Sequence, residues 1–591
     1  MQEGKLPHFS YLKETGSYRR LATTIPSQSP VAWAAFATGQ NPGKNGVFDF
    51  IVRDPKTYKL SLSLSDIGAG GPKRVIKSNC FWQYTSRKKI PTIVIACPVT
   101  FPPDKIYGRM LSGMGVPDIL GTQGTFTFYT TEALPKDKDI GGKVFQIAQN
   151  PAMILHLIGP NAGGTTGKAD NIKVPFKAEI QTDGKSAAIE LQGRHFLLEQ
   201  GKWSDWQKVT FKISPFKSIS GIFKFYLVES SPGFKLYISP INFDPRNPYF
   251  AISYPKDYSR ELTKKIGLYY TQGMPMDTWA VNEDRMTEKP FLESTEEIFK
   301  EKKAMLEFEL SRFKKGVLFC YFENPDIIQH MFWRYRDPAH PLYTKDAPQE
   351  YKTIIEQCYK KMDHLLEEVL GSIDKNTPII VLSDHGFNTF RRATHVNTWL
   401  RKQGYLHLYD DNAPSGEGLL ADINWSKTQA YAIGFGAIYI NQKGREAKGI
   451  VEPGIDTELL KERIAQNLKG WIDEKYNAAV VNNVYDGEKI FHGKYANRTP
   501  DLYIGFNIGY RASWETAVGG VPASLIEDNL KKWSGDHLFD PALIPGIIFS
   551  NRKILKDHPS IYDLTPTILS LAGFGKEMKK FDLDGESLLC L

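Results

Sequence analysis

The chain has 591 residues, 41% hydrophobic and 24% charged, which fits folded globular domains and excludes a disordered or collagen-like chain. That length exceeds what one core organises and predicts two or three domains. The net charge of +8, from 74 Lys and Arg against 66 Asp and Glu, is diffuse. It can steer an anionic substrate weakly, but it is not the dense basic stripe of a nucleic-acid surface, so no nucleic-acid partner is expected.

No run of about 18 apolar residues occurs, so no transmembrane segment is expected. Residues 1–12 (MQEGKLPHFSYL) lack the basic-then-apolar layout of a signal peptide. The expected location is cytoplasmic if Met1 is the true start, and extracytoplasmic if an upstream segment precedes it. The five cysteines, Cys80, Cys97, Cys320, Cys358 and Cys590, lie far apart and form no CxxC pair. Neither a disulfide framework nor a structural zinc knuckle is expected from them. Cys97 and Cys320 sit in apolar runs and read as buried, inert thiols.

In chain order, 91–96 (PTIVIA) is the first clear buried strand, entered by proline. From 172 to 241 the sequence reads as strand after strand, each short and closed by Gly, Pro, Asp or Ser. Thr182-Asp183-Gly184 predicts a tight hairpin turn within it. Trp203 and Trp206 read as packing residues of this zone. From about 290 onward helices and strands alternate. Ser294-Thr295-Glu296-Glu297 predicts a capping box that opens a helix running to 315. Strands are predicted at 317–322 (VLFCYF), 378–383 (PIIVLS), 501–506 (DLYIGF) and 546–550 (GIIFS), with helices at 348–370 and 563–572 and Gly573 past the end of the last. The expected fold is α/β, with a central, mostly parallel sheet flanked by helices and an antiparallel β insert. The expected division is 1–165 and 246–591 as two parts of one α/β domain, with 166–245 as the insert.

Ligands of such sheets bind at the carboxyl ends of strands, so the strand ends carry the chemistry. VLFCYF leads to Asp326 and His330, whose i,i+4 spacing puts both side chains on one side of a helical turn. PIIVLS leads to Asp384-His385-Gly386. Carboxylate and imidazole together suit Zn²⁺ or Mn²⁺. Trp533-Ser534-Gly535-Asp536-His537 offers a further imidazole just before the strand GIIFS. Near the start, Ser29 stands at the entrance of a small-residue helix ending at Gly39, either as a cap or as a nucleophile in the positive field of the helix start.

SPVAWAAFATG, NPGKNGVFDF, Asp326 with His330, Asp384-His385-Gly386 and GDHLFDPALIPGIIFSN, in that order, resemble the alkaline phosphatase superfamily. The nearest branch is the type I phosphodiesterase/nucleotide pyrophosphatase proteins, whose metal core is also similar to that of cofactor-independent phosphoglycerate mutase. The resemblance implies two divalent ions, Zn²⁺ or Mn²⁺. Asp326, His330 and His537 would hold one, and Asp384, His385 and Ser29 the other. It implies a metal-dependent phosphoric ester hydrolase, phosphodiesterase or phosphomonoesterase, with a small-molecule phosphate ester as substrate and a phosphoseryl intermediate on Ser29.

The resemblance has two departures. A register that places the nucleophile four residues before the Gly of the Thr-Gly pair puts Ala35 there, and no Asp precedes Asp49, whereas relatives open with a strand ending in a metal-binding Asp. Residues 1–20 read as a helix end with no apolar strand, so a first strand and one ligand are expected to be missing from this form. Two alternatives follow: a phosphoryl transferase or mutase with the same core, and a non-catalytic binding protein. Asn45 and Asp49 fall near accessory polar positions of relatives, with turn formation the competing role for Asn45. Lys105 and Arg109 are candidate anion contacts with surface solvation as the competing role.

Overall fold

The computed structural model describes residues 1–68, 70–134, 141–161 and 170–589, so Cys590 lies outside the described residues. The chain divides into two compact units, one made of 1–64, 75–90 and 325–591, the other of 65–74 and 91–324. The expected insert at 166–245 falls wholly within the second.

In the second unit, Thr92–Cys97 is flanked by Gly108–Ser112 and Val317–Cys320, both parallel to it, with Ser253–Tyr254 as an antiparallel edge. All six residues of Thr92–Cys97 are buried, as a strand covered on both faces requires. The strand-rich zone forms an antiparallel sheet of Ala152–Asn161, Asn171–Ile180, Ser186–Leu191 and Arg194–Glu199. Two further sheets share its core of Phe176, Phe211, Phe223, Phe225 and Leu236. The predicted hairpin is present: Asp183 accepts hydrogen bonds from the amides of Lys185 and Ser186, and Gly184 takes φ +61°. Trp203 packs on Tyr226 and Tyr237, and Trp206 edges onto Tyr270. Arg109 is an internal ion-pair residue, 2.9 Å from the buried Glu309. Lys105 is exposed.

The predicted capping box does not open its helix. The helix runs Glu288–Leu310, and the hydroxyls of Ser294 and Thr295 donate back to the carbonyl of Phe291 within it. Their local capping preference gives way to burial of the helix face that carries Phe291, Ile298 and Phe299.

The first unit opens with helix Pro7–Thr15 and a strand, Ser17–Leu21. This strand corrects the reading of 1–20 as a helix end without a strand. It has the sequence SYRRL, with no apolar run to betray it, and it forms by pairing with the C-terminal strand Gly546–Ser550, Ser17 opposite Ser550 and Leu21 opposite Gly546. Ile380–Leu382 pairs with the other edge of Gly546–Ser550, also antiparallel. The class is α/β as expected, but parallel pairing among the described residues is confined to the three strands around Thr92–Cys97 and to two separate strand pairs. The sheet nearest the candidate site is antiparallel, because a short apolar run shows that a strand exists and not which way it runs.

That antiparallel arrangement has a geometric result. The chain leaves Leu21 toward Ser29, leaves Leu382 toward Asp384, and enters Gly546 from His537. All three segments therefore lie at one end of the sheet. Phe9, Leu12, Leu366 and Phe549 pack beneath it, and a larger core, including Trp399, Tyr431, Tyr439, Ile504 and Phe506, organises residues 396–521.

Candidate active site

Ser29 is the first residue of helix Ser29–Thr38, every residue of which is buried. Small side chains let this helix sit fully inside the unit, and Pro30 costs nothing at its start, where the N–H has no intrahelical partner. Ser29 is not the cap. Gln28 holds that position, and its side chain accepts from the Phe50 amide and donates to Asp49. The Ser29 hydroxyl lies 3.0 Å from His385 Nε2. Ala35 is buried further along the helix, with its carbonyl accepting from the Gly39 amide.

Asp326 and His330 sit one turn apart on helix Asn324–Phe332, with His330 Nε2 3.4 Å from Asp326 Oδ2. Asp384 and His385 follow the strand Ile380–Leu382. Gly386 lets this turn pass against the Ile544–Pro545 backbone: its amide donates to the Ile544 carbonyl at 2.7 Å, and a Cβ there would stand 2.7 Å from the Pro545 oxygen. His385 stacks on His537, ring centroids 3.7 Å apart. The structure thus brings together all six site residues read from the sequence.

The proton positions follow from the acceptors. His330 Nδ1 lies 2.7 Å from the Gly535 carbonyl, His385 Nδ1 3.0 Å from the Gly386 carbonyl, and His537 Nδ1 2.7 Å from the Ser27 carbonyl. A carbonyl only accepts, so each Nδ1 carries a hydrogen and each Nε2 faces inward, open as a lone pair whenever the ring carries that one hydrogen. Burial, with His385 adding to it, pushes the His537 imidazole down to about 3, so it is neutral. The three Nε2 atoms face carboxylates: His385 lies 3.2 Å from Asp384 Oδ2, and His537 3.9 Å from Asp326 Oδ1. Asp326 Oδ1 and Asp384 Oδ2 are buried without a hydrogen-bond donor. Burial raises the Asp326 carboxyl, but positive charge on His330, His537 and His385, when those rings are protonated, outweighs it and takes the group to about 2. Burial raises Asp384, and the neighbouring Asp326 adds to the rise.

A cluster in which lone pairs face lone pairs is costly unless a cation lies among them. The donor set fits one. Ligand atoms of Asp326, His330 and His537 all lie within 4.8 Å of one another, a carboxylate-and-two-imidazole set of the kind that holds Zn²⁺. Asp384, His385 and Ser29 form the adjoining group.

Sequence reasoning missed the residues that hold these ligands. Trp533 stacks on His330 at 3.6 Å between ring centroids. The Asp536 carboxylate accepts from Arg511, Trp533 Nε1 and the His537 amide. Burial opposes its charge, but Arg511 holds it well below the usual carboxylate range. Arg511 is itself enclosed by Phe390, Phe435 and Trp514, with centroids 4.4–4.8 Å from its guanidinium. The Asp536-His537 pair was visible in the sequence; the Arg511 partner, 25 residues away, was not. Asn45 makes a turn, its side chain bonded to Val47 N and to the Gln40 carbonyl.

An alternating set of strands and helices that gathers carboxylates, imidazoles and one serine hydroxyl at a sheet end defines a hydrolase-like α/β protein. The chain belongs to the type I phosphodiesterase / nucleotide pyrophosphatase family, whose model matches residues 1–152 and 224–519. This is a family of phosphodiester and pyrophosphate hydrolases. No curated protein matches the sequence significantly. Among solved structures, human ectonucleotide pyrophosphatase/phosphodiesterase 5 is similar at 11% identity over 96% of this chain and 89% of that one, with a TM-score of 0.39. Phosphonoacetate hydrolase from Sinorhizobium meliloti, in complex with phosphonoformate, is similar at 11% identity over 97% and 91%, with a TM-score of 0.43. An inactive murine ectonucleotide pyrophosphatase/phosphodiesterase 5 in complex with AMP is similar at 12% identity over 98% and 94%, with a TM-score of 0.39. No helix among the described residues is long and apolar enough to cross a membrane.

Proposed function

We propose that the protein is a metal-dependent hydrolase of small-molecule phosphate esters, diester or monoester, acting through a phosphoseryl intermediate on Ser29. Asp326, His330 and His537 would hold one divalent ion, and Asp384, His385 and Ser29 a second, zinc or manganese in each. The observation that carries this reading is the Ser29 hydroxyl 3.0 Å from His385 Nε2, at the edge of a buried set of acceptors with no hydrogen-bond donor for Asp326 Oδ1 or Asp384 Oδ2. When bound, such ions supply positive charge that lowers the proton affinity of a hydroxyl and neutralises phosphoryl oxygens.

The chain's own residues supply the rest. Helix Ser29–Thr38 fixes the hydroxyl at its N-terminal end, where the helix field favours a phosphoryl group. Ser29 Oγ attacks phosphorus, the Oγ–P bond forms as the bond to the leaving oxygen breaks, and the serine proton passes by way of solvent to the leaving oxygen. Water then attacks phosphorus, the Oγ–P bond breaks, one water proton returns to Ser29 Oγ, and phosphate or a phosphomonoester leaves. Burial of the cluster keeps competing solvent away from the carboxylates and strengthens their electrostatics.

The test is a screen of phosphate monoesters and diesters with added Zn²⁺ or Mn²⁺, on the wild type and Ser29→Ala. Turnover in the wild type, a covalent adduct trapped on the Ser29 peptide (bare phosphate from a monoester, phosphate still carrying its second ester group from a diester), and loss of both in the variant are expected. Unchanged turnover in Ser29→Ala would sink the assignment.

A further inference from the structure

Ser27 is buried, two residues before Ser29, and is part of none of the ligand groups above. Its hydroxyl donates to the His537 carbonyl at 2.6 Å. In return, His537 Nδ1 donates to the Ser27 carbonyl at 2.7 Å. The two residues, 510 apart in sequence, thus close a reciprocal two-bond clasp. One bond fixes the His537 backbone, and the other fixes its ring.

The consequence is chemical as well as structural. With the Nδ1 hydrogen committed to a carbonyl, Nε2 is left as a lone pair directed toward Asp326. The clasp also ties the segment carrying the Ser29 hydroxyl to the segment carrying the His537 imidazole. The other histidine of the same group is held from the same loop. Gly535 accepts from His330 Nδ1, and the Ser534 amide donates to the His330 carbonyl at 2.7 Å. Of these ties to His330 and His537, the Ser27 one reaches across to the nucleophile segment.

We propose that Ser27 is a positioning residue that keeps His537 in its Nδ1–H tautomer and thereby sets the cation affinity of the Asp326, His330 and His537 group. The inference rests on the metal-dependent reading of the site. Outer partners of metal-binding histidines commonly change affinity about 10–100-fold when removed. Ser27→Ala keeps the main-chain carbonyl but loses the hydroxyl that holds the His537 backbone against it. Ser27→Thr restores the hydroxyl.

The experiment measures two quantities on the full chain. The first is the tautomer of His537 in metal-free protein, from long-range nitrogen–proton correlations of its ring. The second is Zn²⁺ affinity by calorimetry. In the wild type a single Nδ1–H tautomer is expected. In Ser27→Ala a tautomer mixture and affinity weaker by about tenfold or more are expected, with Ser27→Thr close to wild type. Thr398→Val is the matched control, because Thr398 is a buried hydroxyl that donates to the Pro522 carbonyl in the core of residues 396–521. It should lower thermal stability to a similar degree and leave tautomer and affinity unchanged. A single tautomer and wild-type affinity in Ser27→Ala would overturn the proposal, as would an equal affinity loss in Thr398→Val. A wild type that binds neither Zn²⁺ nor Mn²⁺ would instead overturn the metal-dependent reading, while the tautomer measurement would still decide the role of Ser27.

Discussion

Two carboxylates of the first unit, the half-buried Asp326 and the buried Asp49, have opposite electrostatic environments. Asp326 stands among three imidazoles, and although burial raises its carboxyl, their influence brings it to about 2. Asp49 is fully buried, its Oδ1 receiving the Gln28 amide and the Ile51 N–H and its Oδ2 receiving no donor. Among the described residues no ion pair reaches it, and burial pushes it up to about 7. Burial alone therefore does not make a cation site. What distinguishes the Asp326 region is a set of imidazoles that favour the charged carboxylate when protonated and offer lone pairs to a cation when not, whereas the Asp49 region favours the neutral acid.

The strongest way to break this comparison is Ser29→Ala. If the Asp326 region is the reaction centre, turnover falls about a thousandfold or more while the Asp326 group retains its ion, as read by steady-state assay and elemental analysis. Wild-type turnover would leave the cluster without a reaction. Next in size is the pair His330→Ala and His385→Ala. Each is expected to lose about one equivalent of metal, and the ion that remains should differ in affinity between the two variants. An unchanged metal-to-protein ratio in both would put Asp326 in the same class as Asp49, a carboxylate with no cation to hold.

Asp49 gives the pH arm. Its folded pKa is raised from 3.8 to about 7, so the stability it permits is complete below pH 4 and declines as pH rises through 7. Asp49→Asn removes that decline. Chemical denaturation at pH 5 and pH 8 should show the wild type losing stability relative to the variant by about 2.5 kcal/mol. Equal pH dependence of the two proteins would contradict the burial argument. The smallest expected effect is Trp533→Phe, which keeps a ring against His330 and loses the bond from Trp533 Nε1 to Asp536. Metal affinity should weaken about fivefold by calorimetry, the worth of one hydrogen bond. No change would confine the support of the site to the Arg511–Asp536 pair.

Much of the site was legible residue by residue. Asp326 and His330 were readable because their spacing fits one helical turn, and Asp384-His385 because they follow an apolar run. Ser29 stood out through its helix of small residues. The helix Gln349–Ser372 and the strand Gly546–Ser550 also lie close to where periodicity placed them. What was illegible lay in pairings between distant segments. Ser17–Leu21 has no strand pattern of its own and exists through its partner at the other end of the chain. Ser294 and Thr295 carried a cap signal that the packed helix overrides. Ser27, Trp533 and Arg511 had no motif, since each acts through a contact whose other half is remote or depends on ring geometry.

The sequence by itself determined the class of fold, the family, and which side chains have the chemistry to hold a cation or attack phosphorus, because those properties reside in residue type and local spacing. Only the tertiary structure decided that Ser17–Leu21, Ile380–Leu382 and Gly546–Ser550 align so that Ser29, Asp384 and His537 emerge at one end. It also decided which nitrogen of each imidazole carries the hydrogen. For His330 and His537 that outcome depends on a carbonyl arriving at hydrogen-bond distance from hundreds of residues away, Gly535 for the one and Ser27 for the other, and short-range patterns in a chain do not encode such an encounter.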